Sequence, residues 1–213
     1  MKRTFLTVAV FLLGIATITA QPQFEKGNLL LGATSTVALS TSASSELIGL
    51  GFIKATYKYG SGPAEDAFRR TSFNILPRAG YFVTDNLAAG LQAVVFGYTE
   101  KDLEYDDTYK ESTIGIGPFV RYYYPLDRFY PFAEAEFLFG TVKEFWYDED
   151  EKTPFIMFGV MVGAALPLGD NVTFDAAAGY LRSSLKNTDA ETEDEVHFIT
   201  SGFCLRMGFT IYL

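Results

Sequence analysis

The chain has 213 residues, 16% of them aromatic, with 26 Asp and Glu against 17 Lys and Arg for a net charge of −9. Such acidity excludes a nucleic-acid surface, whose phosphates demand clustered Lys and Arg, and a lone cysteine, Cys204, excludes an internal disulfide. The length fits one domain, which must be held by packing and by a closed hydrogen-bond network.

In chain order, Met1-Lys2-Arg3 precedes an apolar run from Phe5 to Ile18 and then Thr19-Ala20. A basic start, a short apolar centre and a small residue before the cut predict a secretory signal peptide over 1–20. The run is too short for a membrane-spanning helix, which needs roughly 20 apolar residues. The remainder, 21–213, is expected to be one β domain.

Period-two alternation predicts eight strands, at about 28–39, 70–83, 87–99, 112–124, 130–142, 154–167, 172–184 and 195–213. Tight turns join them in pairs: Val83-Thr84-Asp85-Asn86, Pro125-Leu126-Asp127-Arg128 and Pro167-Leu168-Gly169-Asp170-Asn171. The turn aspartates, Asp85, Asp127 and Asp170, recur at 42 and then 43 residues. That regularity behind an export signal reads as an eight-stranded antiparallel up-and-down transmembrane β-barrel. Longer connections are expected opposite the turns, at about 100–111, 143–153 and 185–194, with a much longer first external loop at about 40–69. The alternating stretch from Leu47 to Tyr59 inside that loop is expected to extend the wall as a hairpin, since a ninth spanning strand breaks the parity. Short periplasmic turns and long external loops put both termini in the periplasm of a Gram-negative cell.

One side of each strand is apolar: Phe73, Ile75, Pro77, Ala79 and Tyr81 in the second, Phe158, Val160, Val162, Ala164 and Leu166 in the sixth. The other side collects Asn74, Arg78, Gln92, Arg121, Glu134, Glu136, Asp175 and Arg206, interleaved with glycines. A one-residue slip exchanges the faces and places three arginines in lipid, at about 2–4 kcal/mol each near the midplane. The register with a polar lumen therefore wins, and three arginines face three carboxylates across it. Pro77 and Pro118 fall mid-strand, where each removes a ladder donor, so a bulge or a locally open bond is expected at both.

The run Pro77-Arg78-Ala79-Gly80-Tyr81-Phe82-Val83-Thr84-Asp85-Asn86-Leu87-Ala88-Ala89-Gly90 resembles a hairpin of the bacterial outer-membrane β-barrel domain family, related to the small OmpA- and OmpX-like barrels. Gly117-Pro118-Phe119-Val120-Arg121-Tyr122-Tyr123-Tyr124-Pro125 resembles the hairpin that follows. The end of the chain, with Arg206, Gly208, Ile211 and Leu213, is similar to the signal read by the barrel-assembly machinery, but ends in Leu rather than Phe. The resemblance implies fold and compartment, an integral outer-membrane protein in contact with lipid and lipopolysaccharide. It implies no activity.

No cofactor, metal or catalytic site is expected. His197 is the only histidine. Its same-face neighbour Ser201 lies four residues along a strand, roughly 13 Å away and beyond hydrogen-bond reach, so the lipid-modifying chemistry of some eight-stranded barrels finds no pair here. The acidic groups Glu100, Asp102, Glu104, Asp106, Asp107 and Glu111, then Glu144, Asp148, Glu149, Asp150 and Glu151, then Asp189, Glu191, Glu193, Asp194 and Glu195 read as solvated loops, or as collectors of divalent cations bridging to lipopolysaccharide; none has the ligand spacing of a calcium loop. Phe145, Trp146, Tyr147, Tyr105 and Tyr109 read as an aromatic girdle or an adhesive patch. An eight-stranded barrel is narrow enough to be filled by its own side chains. The expected function is accordingly a non-enzymatic envelope and surface protein acting through its external loops. The alternatives are a small porin-like channel, a lipid-modifying enzyme, and a soluble eight-stranded calyx with its apolar residues inside.

Overall fold

A computed structural model of the chain describes residues 22–38, 51–58, 64–103, 107–124, 126, 128–146, 149–188 and 195–213. The expected signal peptide lies outside them. After a single 3-10 turn, Pro22–Phe24, the strands are β1 (Leu29–Ala38), β2 (Gly51–Lys58), β3 (Ala64–Thr84), β4 (Leu87–Asp102), β5 (Thr108–Tyr123), β6 (Tyr130–Trp146), β7 (Glu149–Pro167), β8 (Val172–Thr188) and β9 (Glu195–Tyr212). Every pairing is antiparallel between neighbours, and β1 pairs both β9 and β3, which closes the sheet into a barrel.

The wall has eight positions although nine strands form it. On one edge of β3, β1 occupies Leu76 to Tyr81 and β2 occupies Ala64 to Ser72, so the two share one position in tandem. This is the hairpin expected within the first loop, and it keeps the count of spanning strands even.

The alternation of the sequence is the alternation of the wall. Along β9, Phe203, Leu205, Met207, Phe209, Ile211 and Leu213 are exposed, whereas Cys204, Arg206, Thr210 and Tyr212 are buried. Ile114, Phe139, Ile156 and Val162 likewise stand outward on their strands. Contiguous apolar surface of this extent on the outside, with charge inside, is the inverse of a soluble calyx.

The strands run farther than the alternation predicts. Of the loops expected at 100–111, 143–153 and 185–194, the described residues are almost all strand, since β4 continues to Asp102, β5 begins at Thr108, β6 runs to Trp146, β7 begins at Glu149 and β8 reaches Thr188. Likewise β3 starts at Ala64, inside the first loop expected at about 40–69. The reason is that a wall standing clear of lipid is wet on both faces, so its polarity pattern fades while backbone pairing continues. Glu100, Asp102, Glu111, Glu144, Glu149, Asp150 and Glu151 therefore belong to strands rather than to solvated loops.

Both mid-strand prolines open one ladder without shifting its register. The β3–β4 ladder skips Leu76 and Pro77 between Ile75↔Val95 and Arg78↔Gln92, while the β1 side stays paired at Ala33↔Pro77. The β5–β6 ladder skips Gly117 and Pro118 between Ile116↔Phe139 and Phe119↔Glu136, while Leu91↔Pro118 holds on the β4 side. The missing donor leaves an open bond rather than a bulge.

Candidate functional site

The interior is layered. At the end where the described chain begins and finishes, Phe24 is fully buried and closes the barrel like a stopper. Its ring stacks on Tyr123 at 4.5 Å and meets Tyr130 and Tyr212 edge-on at 4.8 and 5.2 Å, the offset and T-shaped arrangements that aromatic quadrupoles favour. Short backbone bonds fix the segment: Gly27 N–H donates to the Phe82 carbonyl at 3.0 Å and Asn86 N–H to the Phe24 carbonyl at 2.8 Å. Asn86 sits in the tight turn with φ at 65°, a left-handed value that Asn tolerates.

Above the stopper lies an ionic layer. Arg78, Arg121 and Arg206 project inward from β3, β5 and β9, and Glu134, Glu136 and Asp175 from β6 and β8, all at most 4% exposed. Glu134 is the hub. One of its oxygens accepts from Arg78 Nη1 at 2.6 Å and from Arg121 Nε at 2.5 Å, and the other from Arg206 Nη1 at 3.3 Å. Arg206 also grips Glu136 with both Nη atoms, at 2.6 and 2.8 Å. Arg121 donates to Asp175, and Gln92 donates to Glu136. Asp175 further accepts from Thr173 at 2.7 Å and Thr210 at 2.8 Å. The Arg121 guanidinium lies 4.0 Å over the Phe132 ring, and that of Arg78 lies 5.1 Å over Phe119. Three cations against three anions leave this layer neutral, and its pairs compensate one another in a region where an unpaired charge is costly. Arg78 Nε and Gln92 Oε1, carried by residues opposite one another on β3 and β4, have no hydrogen-bond partner among the described residues.

The outer half of the lumen is apolar. Leu76, Val94, Leu138, Val142, Phe155, Met157, Met161, Leu181, Leu185 and Cys204 form one cluster there. Phe155 lies over Gly115 and Gly140, which pair across β5 and β6 and leave room for its ring. At the outer rim Arg70 pairs with Glu100 at 2.5 Å and stands 5.1 Å over the Tyr98 ring, whose hydroxyl donates to the same carboxylate.

The polar residues singled out on sequence fall into two places. Arg78, Gln92, Arg121, Glu134, Glu136, Asp175 and Arg206 meet in the ionic layer, whereas Asn74 stands higher, accepting from the Thr36 backbone N–H at 3.1 Å. Of the terminal residues, Arg206 belongs to the ionic layer and Ile211 and Leu213 face outward. At Gly208 a Cβ would collide with the Ala33 carbonyl. Ser201 faces outward and Thr200 is buried, while the side chain of His197 lies outside the described part. Tyr105 and Tyr147 do so too. Among the described residues no group of His, Cys, Asp and Glu is arranged to hold a metal ion. Sequence reading missed the Phe24 stopper, which precedes any periodic pattern. It also missed Thr34, Thr36, Thr173 and Thr210, whose inward parity was a usable signal.

The sequence matches the model of the outer membrane protein beta-barrel domain over residues 28–206. No curated protein matches it. Among solved structures, outer membrane protein W of E. coli aligns at 13% identity over 89% of this chain and 99% of its own, with a TM-score of 0.53. OprG of Pseudomonas aeruginosa aligns at 15% identity over 91% and 99%, with a TM-score of 0.48. The N-terminal barrel domain of OprF from the same organism aligns at 9% identity over 88% and 98%, with a TM-score of 0.46. At these identities the similarity concerns the fold.

Proposed function

The chain belongs to the outer membrane protein beta-barrel domain family, and from that premise we propose that it is a sealed, non-enzymatic barrel of the bacterial outer membrane. Its wall holds lipid, and its outer rim meets lipopolysaccharide and other surface molecules. The observation that carries this reading is the double closure of the lumen, by the Phe24 stopper and by the ionic layer centred on Glu134. A conducting pore of this width needs a continuous wet path, and here the interior groups satisfy one another instead. The short turns at the terminal end support an orientation with both termini in the periplasm. The acidic strand extensions then stand outside, where divalent cations can bridge them to anionic lipid headgroups. The pattern Arg206, Gly208, Ile211 and Leu213 serves the assembly machinery during insertion. The absence of any serine within reach of His197 along its strand supports the non-enzymatic reading.

Planar-bilayer recording of the refolded protein tests it. The native barrel is expected to give no discrete conductance steps, and steps in the native protein overturn the sealed reading in favour of a small channel. Phe24→Ala combined with Arg121→Ala is expected to give steps where native protein gives none. Bulky residues at Gly117 or Gly163 are unsuitable as blockers, because even a Cβ at either crowds the neighbouring strand's backbone, so the wall is disturbed together with the lumen.

A further inference from the structure

The outward face of the wall changes character in three steps toward the outer rim. On β3 its residues run Phe73, Thr71, Arg69, and on β4 Gly97, Thr99, Lys101, with the Phe73 ring lying over Gly97. On β5 they run Ile114, Ser112, Lys110 and on β6 Phe139, Thr141, Lys143. On β7 they run Ile156, Pro154, Lys152 and on β8 Arg182, Ser184, Lys186. Six neighbouring strands thus close the apolar belt, pass a small and mostly hydroxyl-bearing residue, and present a cation. All six of these end cations are exposed. Pro154 departs from the hydroxyl row and Arg182 from the apolar one, and the long stem of Arg182 lets its head rise toward the cations.

The carboxylates of the same segments alternate with the cations and turn inward. Glu100, beside Lys101, accepts from the Tyr98 hydroxyl and from Arg70. Glu111, beside Lys110, is buried and stands opposite Glu144, beside Lys143. Among the described residues no carboxylate stands in the outward row. Segments that are acidic in sequence therefore show a basic collar to their surroundings.

Height and pairing say what the collar meets. Four residues along a strand cover about 13 Å, which is about 10 Å of height at a tilt of about 35–45°. The headgroup layer on each side of the hydrocarbon is about 5–8 Å deep. The hydroxyl row therefore marks the edge of the hydrocarbon, and the cations stand among the headgroups. Arg69 lies directly opposite Lys101, and Lys143 directly opposite Lys152. Like charges in that relation destabilise a sheet, and an anion seated between them removes the penalty.

On the reading above, in which this rim faces outward in the outer membrane, we propose that the collar binds the phosphate groups of phosphorylated lipid headgroups. Each phosphate is shared by cations of neighbouring strands, and Arg69–Lys101 and Lys143–Lys152 are the principal seats. Lysine engages phosphate as a point charge and arginine as a fork. The hydroxyl row below meets the oxygens that join a headgroup to its chains. The inward acids reach such headgroups only through a divalent cation, whereas the collar holds them directly.

The refolded protein is placed in phosphatidylcholine bilayers with EDTA, which removes the divalent route. Electron spin resonance of spin-labelled phosphatidic acid, against spin-labelled phosphatidylcholine, reads the lipid held at the wall. The native barrel is expected to enrich phosphatidic acid about fivefold, the factor that corresponds to ~1 kcal/mol for one cation near an anionic headgroup. No enrichment overturns the proposal. Changing all six collar cations to Gln is expected to abolish it, and persistence places the contact elsewhere and is equally fatal. If that variant does not fold, Lys143→Gln with Lys152→Gln must lower the enrichment. The same pair tells a seat from general attraction. In pure phosphatidylcholine it is expected to raise the thermal midpoint by relieving repulsion, and in bilayers containing phosphatidic acid to lower it; shifts of one sign in both overturn the seat. None of these readouts depends on conductance, so the collar can fail while the lumen stays sealed, and the lumen can conduct while the collar stands.

Discussion

The two halves of the lumen solve the same problem differently. Around the ionic layer every strand is paired on both sides, apart from the bonds the prolines open, and the filling groups are charged and aromatic, with all their buried polar atoms but Arg78 Nε and Gln92 Oε1 partnered. Above it the β1–β3 ladder ends at Thr34↔Leu76, and the filling is mainly apolar. A narrow barrel must be filled by its own side chains, and the comparison shows what each filling provides. Charges that satisfy one another demand fixed geometry and so go where the wall is complete. Apolar groups tolerate adjustment and fill the half where that ladder ends.

Breaking the ionic layer is expected to have the largest effect. Glu134→Gln leaves three guanidinium groups against two carboxylates in a region that excludes water, at a cost of about 3–5 kcal/mol. Guanidinium unfolding of the refolded barrel in lipid vesicles measures it. Pairing the change with Arg78→Gln is expected to restore part of the loss, because the double variant removes one charge of each sign. A loss below about 1 kcal/mol for Glu134→Gln, the range of exposed ion pairs, would mean that water reaches the layer and the two halves do not differ.

Next comes the stopper. Phe24→Ala removes a fully buried ring and is expected to cost about 3–5 kcal/mol, less if the terminal segment detaches without unfolding the wall. Leu185→Ala in the outer half, at 9% exposed, is expected to fall at the low end of the ~2–5 kcal/mol range for buried Leu, since aliphatic neighbours there can close in. Equal losses at both sites would remove the contrast in rigidity.

Of this architecture, the strand alternation showed which side chains share a face, because lipid outside and charge inside impose opposite chemistry at every second residue from Phe73 to Tyr81 and from Phe203 to Leu213. It could not show which carboxylate serves which arginine, since Glu134, Arg78 and Arg206 come from strands far apart in sequence and meet only when the cylinder closes. Nor could it place the ends of β4 to β8, where Lys101, Lys143 and Glu144 look like loop and continue as wall. Phe24 was illegible for a different reason: an isolated aromatic in a three-residue turn has no period to betray it.

A third contrast concerns backbone approach. At Gly117 a Cβ would strike the Phe137 carbonyl, whereas at Gly169 nothing lies within 4 Å. Gly117→Ala is expected to cost about 1–3 kcal/mol, as overpacking does, and Gly169→Ala to stay within about 0.5 kcal/mol of native. Thermal gel-shift midpoints of the two variants check the difference.

The smallest effect is expected at Pro77, where the two halves meet. Replacing it with Ala supplies an N–H toward β4, where the ladder now skips Leu76 and Pro77. A closed bond there contributes about 0.5–1.5 kcal/mol. The lost ring, however, frees the unfolded chain and offsets about 0.4–1 kcal/mol of that gain. The net change is therefore near zero, and stability is the wrong readout. Amide exchange is the right one: the new N–H of residue 77 is expected to be protected to the same degree as those of β5, where Leu91↔Pro118 shows that β4 pairs through the same level on its other side. Fast exchange at residue 77 in a barrel that is otherwise protected would show that the opening is held by the wall's curvature where the β1–β3 ladder ends, and that proline occupies a gap it did not create.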